Sequence, residues 1–229
     1  MFTQAKEKFI RSLHTKKGRV ESGKCLVEGR KVVETAGAAV EYTFTKADSS
    51  RFDSLVTTEE PQEIAAVARV PQWTMRDIQN YSTVVVLDGV QDPGNVGSIL
   101  RLCLGFSASV LLIDSVDVTN PKVVRASVGA LFQVPWMIVS RKEAVEILDT
   151  YKRPIYRLEK PTHAQHTAID VTELSKLQFD ILLIAGSEGK GIQLPIKGTS
   201  VFIQHTIQLE SLNISHALAI ALFERVTTH

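Results

Sequence analysis

Short apolar runs rich in β-branched residues alternate with amphipathic stretches over the last two thirds of the chain. The runs predict strands at residues 84–87, 110–113, 136–139, 181–185 and 201–203, with another near Ile155. The amphipathic stretches predict helices at residues 97–105, 120–130, 141–150 and 213–225. Strands that alternate with helices and are almost continuously apolar are typical of a parallel sheet covered on both faces. The pattern therefore predicts an α/β fold here.

A smaller α/β unit is predicted before it. Its pattern indicates a helix at residues 2–14, a polar loop at 14–24, a strand at 25–27, a helix at 29–39 and a strand at 41–45. Residues 64–70 fit either a helix end or a buried strand. The polar stretch 71–80 reads as a linker. We therefore expect two domains, residues 1–75 and 76–229.

Composition narrows the class of protein. The chain has 229 residues, 44% of them hydrophobic, which is enough for a sizeable core. No apolar run approaches the length of a membrane span, and the first residues lack the apolar core of a signal peptide. We expect a soluble, cytoplasmic protein. Cys25 and Cys103 lie in apolar patterns far apart, so we expect two buried thiols and no metal site.

Charge is uneven along the chain. The net charge is +1, yet residues 1–31 hold nine Lys or Arg against three Glu, a local charge of +6. Such a basic segment could contact phosphates. From charge alone, a solvated helix followed by a basic loop is an equally good interpretation.

Three loops at predicted strand ends could carry chemistry, because ligands of such sheets gather at the carboxyl ends of strands. In the first loop, residues 88–98, Pro93 and Gly94 predict a turn and Asn95 is a candidate helix cap. Arg101 is expected in the first turn of the following helix, directed back toward the loop. An ordinary helix start with a salt-bridged arginine explains the same pattern.

The second loop, residues 186–191, has three glycines in six positions, which indicates close backbone approach or positive φ. It lacks the spacing of phosphate-binding loops, and Glu188 would repel a phosphate. A neutral or cationic ligand fits it better.

The third loop, residues 204–213, offers Ser211 and Asn213 as helix-cap candidates, with Leu209 and Leu212 as apolar neighbours. A capped helix is the simpler interpretation. Backbone amides and apolar side chains together would also suit a purine ring.

Three segments resemble, in order along the chain, the three motifs of the SpoU (TrmH-like) family of RNA ribose 2′-O-methyltransferases, within the SPOUT superfamily. They are LDGVQDPGNVGSILRLCLGFSAS, IAGSEGKGI and ESLNISHALAIALFE. The similarity covers about residues 82–226. More weakly, CLVEGRKVVETA resembles the opening of the RNA substrate-binding domain that many members carry.

This resemblance implies a parallel-sheet SPOUT methyltransferase domain with a C-terminal trefoil knot, preceded by a small α/β substrate-binding domain. It implies S-adenosyl-L-methionine as methyl donor, RNA as substrate, and a homodimer whose active site lies near the subunit interface. Carried over by position, it implies these catalytic residues: Asn95, Arg101, Glu188, Ser211 and Asn213. The implied cofactor-binding residues are Gly186, Ile203, Leu209 and Leu212, with Ser187 and Gly189 as weaker candidates.

The role of Arg101 follows from its chemistry. An arginine side chain stays protonated in proteins, so it cannot serve as the base that deprotonates a ribose hydroxyl. We expect Arg101 to stabilise the forming alkoxide and to anchor a neighbouring phosphate. Glu188, a phosphate oxygen and water are all open as proton acceptors.

Glu63 stands where the N-terminal domain of the family often has glycine. Three other departures lie nearer the C-terminus: Gln204 and His205 stand where Pro-Met is usual, and His216 replaces a common aliphatic residue. These departures leave the shape of the purine pocket and the packing of the knot open.

The expected substrate is large-subunit rRNA, because the tRNA enzymes of the family more often use short terminal extensions. The alternatives are a tRNA 2′-O-methyltransferase, a non-catalytic RNA-binding or assembly protein that retains the fold, and a nucleotide-binding regulator. The missing phosphate-loop spacing disfavours the regulator.

Overall fold

A computed structural model describes residues 1–160, 167–206 and 208–227. The N-terminal part forms a three-stranded antiparallel sheet with short helices. Its strands are β1 (Lys24–Glu28), β2 (Val40–Thr45) and β3 (Ile64–Arg69), with β3 in the centre. Its helices are α1 (Gln4–Ser12), α2 (Lys16–Ser22), α3 (Arg30–Ala36) and α4 (Phe52–Leu55). The ambiguous segment 64–70 is thus a strand, because it pairs with neighbours on both sides.

The prediction of a loop at residues 14–24 is wrong, because helix α2 occupies most of this segment. The Thr15 side chain accepts a hydrogen bond from the Gly18 amide, and Gly23 ends the helix with a φ of 65°. Only Gly18 and Arg19 are buried in this helix, so it shows no apolar periodicity in the sequence. A Cβ on Gly18 would lie 2.1 Å from the Ser12 carbonyl oxygen, which explains a glycine inside a helix.

The expected linker at residues 71–80 contains a helix, α5 (Met75–Gln79), opened by a capping box between Thr74 and Asp77. Ile78 of this helix is fully buried. A helix with one buried side chain is too short for periodicity to reveal.

The remaining strands form the main sheet: β4 (Thr83–Asp88), β5 (Ala108–Ile113), β6 (Trp136–Val139), β7 (Ile155–Leu158), β8 (Ala168–Asp170), β9 (Ile181–Gly186) and β10 (Thr199–Phe202). Their order is β6-β5-β4-β9-β7-β10-β8, and every pair in it is parallel. The predicted parallel α/β sheet is confirmed. Edge strand β8 was not predicted, because three residues carry too little pattern.

The helices of this part are α6 (Pro93–Gly105), α7 (Pro121–Ala126), α8 (Arg141–Tyr151) and α9 (Ile214–Val226). Helix α7 ends earlier than expected, because Val128 and Gly129 take φ values of 49° and 86°. A Cβ on Gly129 would lie 2.5 Å from Thr35 Cβ. Because Gly129 has no side chain, Thr35 of the N-terminal part can pack closely against it.

The sheet is covered on both faces, as predicted. Alternate side chains of β4, such as Val85 and Val84, enter two separate apolar clusters. The first cluster lies under α6, α7 and α9, and the second under α5 and α8. Cys25 and Cys103 are buried in the first, as expected, and burial raises the pKa of the Cys25 thiol to about 12.

Two ion pairs join the N-terminal part to the main sheet. Arg19, buried at 4% exposure, lies 2.6 Å from Asp117 and also donates to Thr119. Arg125 lies 3.0 Å from the buried carboxylate of Glu28. Burial acts to raise the pKa of Asp117, but hydrogen bonds from Arg19 and Thr119 outweigh it, and the pKa lies below its ordinary value. These pairs tie the two sheets together.

Candidate active site

The carboxyl ends of β4 and β9 meet at one edge of the sheet, where α6 begins. The helix starts at Pro93, four residues earlier than predicted, and Asp92 caps it by accepting from the Asn95 amide at 2.7 Å. The prediction that Asn95 caps the helix is therefore wrong. A carboxylate at the cap suits the positive end of the helix dipole, and it leaves the Asn95 side chain free for other contacts.

Residues from all three motifs meet in one hydrogen-bonded group, which we call the amide–carboxylate cluster: Asn95, Glu188 and Asn213. The Asn95 and Asn213 amides donate to Glu188 Oε1 at 3.2 and 2.9 Å. Asn213 Nδ2 also lies 3.0 Å from Asn95 Oδ1. Side chains distant in sequence thus converge on one carboxylate oxygen. Within the described ranges, Glu188 Oε2 has no hydrogen bond, so it is available to a ligand.

Glycines shape the loop that carries Glu188. A Cβ on Gly186 would lie 2.1 Å from the Gly191 carbonyl carbon, and Gly191 itself takes a φ of 63°. The predicted close approach and positive φ are both confirmed. Gly189 has open space around its Cβ position. The Ser187 amide donates to the Asp88 carbonyl at 3.0 Å, which fixes the loop against β4.

Asp88 anchors the segment that directly follows this loop. Its carboxylate, fully buried, accepts from the Gln193 and Leu194 amides at 2.6 and 2.7 Å. Arg141 Nη2 lies 2.7 Å from its other oxygen. Backbone and guanidinium donors therefore compensate a charge that would be costly to bury alone.

Asn213 is the cap of α9, as predicted. Its Oδ1 accepts from the Ser215 and His216 amides at 2.9 and 3.4 Å, which orients its Nδ2 toward Glu188. Ser211 does not cap the helix. It lines a separate hollow instead.

Arg101 lies outside the amide–carboxylate cluster. It is the ninth residue of α6, in the third turn, so the expected first-turn position is wrong. Its guanidinium is exposed and has no hydrogen bond or ion pair with the residues that the structure describes. Arg101 is six residues past Asn95, or roughly 9 Å along the helix axis. The salt bridge considered as its simpler explanation is absent from the described part of the chain.

A hollow of about 710 Å³ opens beside the cluster at the strand ends. We call it the strand-end hollow. Its lining includes Asp88, Gln91, Asp114, Arg141, Glu188 and Lys190. Hydrogen bonding to Asp88 is the main cause that raises the pKa of Arg141. Sequence reasoning missed Asp114 and Arg141, although the first directly follows a predicted strand and the second begins a predicted helix.

A second hollow lies between β10 and the start of α9. It has a part of about 120 Å³ and an adjoining part of about 570 Å³, and both are lined by Ile203 and His205. Ser211 and Leu212 line the smaller part and Leu209 the larger. We call it the C-terminal hollow.

The predicted cofactor residues are thus divided. Ile203, Leu209 and Leu212 line the C-terminal hollow, whereas Ser187 and Gly189 line the strand-end hollow. The segment from Ser211 to Ile214 borders both.

A family model described as the SpoU rRNA Methylase family matches residues 82–223. The chain belongs to this family. The match covers the main sheet, all three members of the amide–carboxylate cluster and Arg101. The family suggested by the motifs is therefore confirmed.

Among curated relatives of this SpoU family member, the 23S rRNA (guanosine(2553)-2′-O)-methyltransferase RlmP of Bacillus subtilis is 28% identical, over 95% of this chain and 94% of its own. The 23S rRNA (adenosine(1067)-2′-O)-methyltransferase of Streptomyces azureus is 34% identical, over 78% of this chain and 68% of its own.

Solved structures show the same fold. An AdoMet-bound rRNA methyltransferase from Sinorhizobium meliloti matches with a TM-score of 0.83 at 20% identity, over 98% of this chain and 95% of its own. A TrmH-family RNA methyltransferase, described as putative, from Porphyromonas gingivalis gives a TM-score of 0.80 at 29% identity, over 98% of both chains.

Proposed function

We propose that this SpoU family member methylates a ribose 2′-hydroxyl in structured large-subunit rRNA, and that the reaction takes place at the amide–carboxylate cluster. It is an RNA methyltransferase that uses S-adenosyl-L-methionine. The observation that carries the proposal is the convergence of Asn95, Glu188 and Asn213 on one carboxylate with a free oxygen.

The C-terminal hollow fits the cofactor. Apolar side chains such as Val201, Ile203 and Leu212 provide a wall for the adenine ring, and Ser211 adds a polar group at its edge. His205 stands in this wall, and Ile203 O lies 2.7 Å from its Nδ1. Together with the adjoining part, the hollow has room for a nucleoside. S-adenosylmethionine supplies an electrophilic methyl group on a sulfonium centre.

We assign proton acceptance to Glu188. Two amides hold its Oε1, so the carboxylate keeps one orientation while Oε2 remains available to the ribose hydroxyl. Asn95 and Asn213 act as positioning residues, since both bond Glu188 and each other. The attacking oxygen gains its negative charge as its proton passes to Oε2.

A homodimer would place Arg101 near the subunit interface. Arg101 and Leu104 share the exposed face of α6, and Ile220 and Phe223 share the exposed face of α9, which packs beside it. Phe223 is 53% exposed and Leu104 41%. An arginine among exposed apolar side chains is typical of an interface. We propose that this face joins two copies and that Arg101, near the interface, stabilises the forming alkoxide.

The N-terminal part, residues 1–75, is proposed as the RNA substrate-binding domain. Lys16 and Lys17 are exposed on α2, and the Arg19–Asp117 pair ties this helix to the main sheet. Basic side chains would contact phosphates at a fixed position relative to the reaction.

Two further expectations complete the proposal. Strand β10 lies near one end of the sheet, whereas α9 returns to pack beside α6, and this path supports a C-terminal trefoil knot. The longest helices of the described residues, α6 and α9, have 13 residues each and fall short of a membrane span. We propose that the enzyme is cytoplasmic, because rRNA is available in the cytoplasm.

Transfer of labelled methyl groups tests the proposal. Unmodified large-subunit rRNA, with S-adenosylmethionine labelled in the methyl group, should accept label from the wild-type chain and far less from Glu188→Gln. Glutamine retains an oxygen for the two amides but is a poor proton acceptor, so the loss should be ~10² or more. Glu146→Gln, a change at an exposed position on α8, is the matched control and should transfer normally.

Cofactor binding without transfer to any RNA would instead support a non-catalytic RNA-binding protein. Transfer to tRNA alone would contradict the choice of rRNA.

A further inference from the structure

Asp114 stands in the strand-end hollow with an unusual backbone. It directly follows β5 and takes a φ of 45°. This left-handed conformation is energetically unfavourable for a residue other than glycine. The Gln91 side chain donates to its carbonyl oxygen, and Arg141 Nε lies 3.1 Å from its Oδ2. Both partners also line the hollow. The backbone and the carboxylate are thus each held by a side chain from another loop.

The carboxylate remains accessible to a ligand. The Asp114 side chain is 55% exposed, and its Oδ1 has no hydrogen bond with the residues that the structure describes. Arg141 is itself anchored, because its Nη2 contacts the fully buried carboxylate of Asp88. The Asp114 carboxylate, held by Arg141, therefore lines the same hollow as Glu188. Its Oδ1 is free, and its Oδ2 can accept a second hydrogen bond beside the one from Arg141.

The hollow has the volume of a small-molecule site, at about 710 Å³. It adjoins the oxygen of Glu188 that we assign to the ribose hydroxyl. The base of the same nucleotide must lie within a few ångströms of that hydroxyl. Enzymes that do chemistry on a base take it out of its stack and read its Watson–Crick edge. We expect a similar extrusion here, since the 2′-hydroxyl must reach Glu188.

We propose that the strand-end hollow receives the base of the target nucleotide and that this base is guanine, an inference that rests on the proposed function. Guanine has two adjacent donors on its Watson–Crick edge, N1–H and the N2 amino group, and these match the two oxygens of a carboxylate. Adenine, cytosine and uracil each place a single donor group beside acceptors, which a carboxylate repels. Asp114 is then the residue that selects the base.

The first test maps the methylated nucleotide after wild-type reaction with unmodified large-subunit rRNA. A guanosine supports the inference. Methylation of an adenosine or a pyrimidine overturns it and leaves the proposed function standing. If no RNA is methylated at all, the proposed function fails and the inference falls with it.

The second test removes the proposed contact between Asp114 and guanine, first by changing the protein and then by changing the RNA. Asp114→Asn should lower kcat/KM for the mapped RNA by ~10-fold or more, because an amide cannot accept from both donors. Asparagine tolerates positive φ, so the melting temperature and the affinity for S-adenosylmethionine should change little. Asp149→Asn, at the far end of α8, is the matched control and should leave kcat/KM unchanged.

Inosine in place of the target guanosine lacks the N2 amino group and should lower wild-type kcat/KM similarly, while the further loss caused by Asp114→Asn shrinks. Because the inosine arm uses the wild-type chain, it holds even if the variant folds poorly. Full activity on inosine, or in a folded Asp114→Asn variant, would overturn the assignment.

Discussion

Replacement of Gly186 by alanine should damage the loop that carries Glu188. The added Cβ would lie 2.1 Å from the Gly191 carbonyl carbon and 2.3 Å from its oxygen. Ordinary contact begins at 3.4 Å, and both atoms belong to backbone that cannot rotate away. The two strands of the loop must therefore separate by roughly 1 Å, on the scale that weakens dispersion contacts and hydrogen bonds.

The expected cost follows from the contacts that this separation disturbs. Overpacking of this kind destabilises by ~1–3 kcal/mol. The hydrogen bond from the Gly191 amide to the Ser187 carbonyl, 2.8 Å long, closes the loop and would lengthen. We expect the free energy of unfolding to fall by about 2–3 kcal/mol. Methyl transfer should fall ~10²-fold, because a displacement of about 1 Å can cost that much.

Gly189→Ala is the matched control, since it adds the same methyl group to the same loop. Its Cβ would meet no atom within 4 Å. Denaturant unfolding should give a free energy within ~1 kcal/mol of wild type. Equal unfolding free energies for the two variants would refute the reasoning from close approach at Gly186.

Three further predictions concern other parts of the molecule. Arg101→Ala should lower turnover by at least ~10²-fold with cofactor affinity within a few-fold, and Arg101→Lys should restore little; near-normal turnover would remove Arg101 from the mechanism. Arg19→Met should cost about 2–3 kcal/mol of unfolding free energy at pH 7, because the partly buried Asp117 loses its guanidinium partner and keeps only its hydrogen bonds from Thr119. The lowered pKa of Asp117 stabilises the fold above its unfolded value of about 3.9, and this contribution is lost as pH falls through the folded pKa. The difference between wild type and Arg19→Met should therefore shrink below about pH 4, and a constant difference would contradict the assignment. Phe223→Glu should convert a dimer into a monomer in sedimentation, whereas Val145→Glu on α8 should not; a wild-type monomer would refute the proposed interface.

Much of the main sheet could be predicted, because its strands are continuously apolar and its helices have clear periodicity. Helices α2 and α5 were missed for the same physical reason in each case. Each buries very few apolar side chains, and Ile78 alone anchors α5. Capping by Thr15 and Thr74 defines their starts.

The candidate site was predictable in part. The motif resemblance selected Asn95, Glu188 and Asn213, and the structure shows them in direct contact. The sequence could not show that Asp92 caps α6, because aspartate and asparagine are both good caps. Arg141 was missed because its partner Asp88 lies on a strand two places away in the sheet.

The chemical identity of the product distinguishes methylation of the ribose from methylation of the base. The rRNA methylated by the wild-type chain would be digested to nucleosides and analysed by mass spectrometry against methylated standards. We expect a single 2′-O-methylated nucleoside, with a yield lowered by ~10² or more when Glu188→Gln replaces the wild-type chain. A methyl group on a base nitrogen or carbon, or an unchanged yield of the 2′-O-methylated nucleoside from Glu188→Gln, would contradict it.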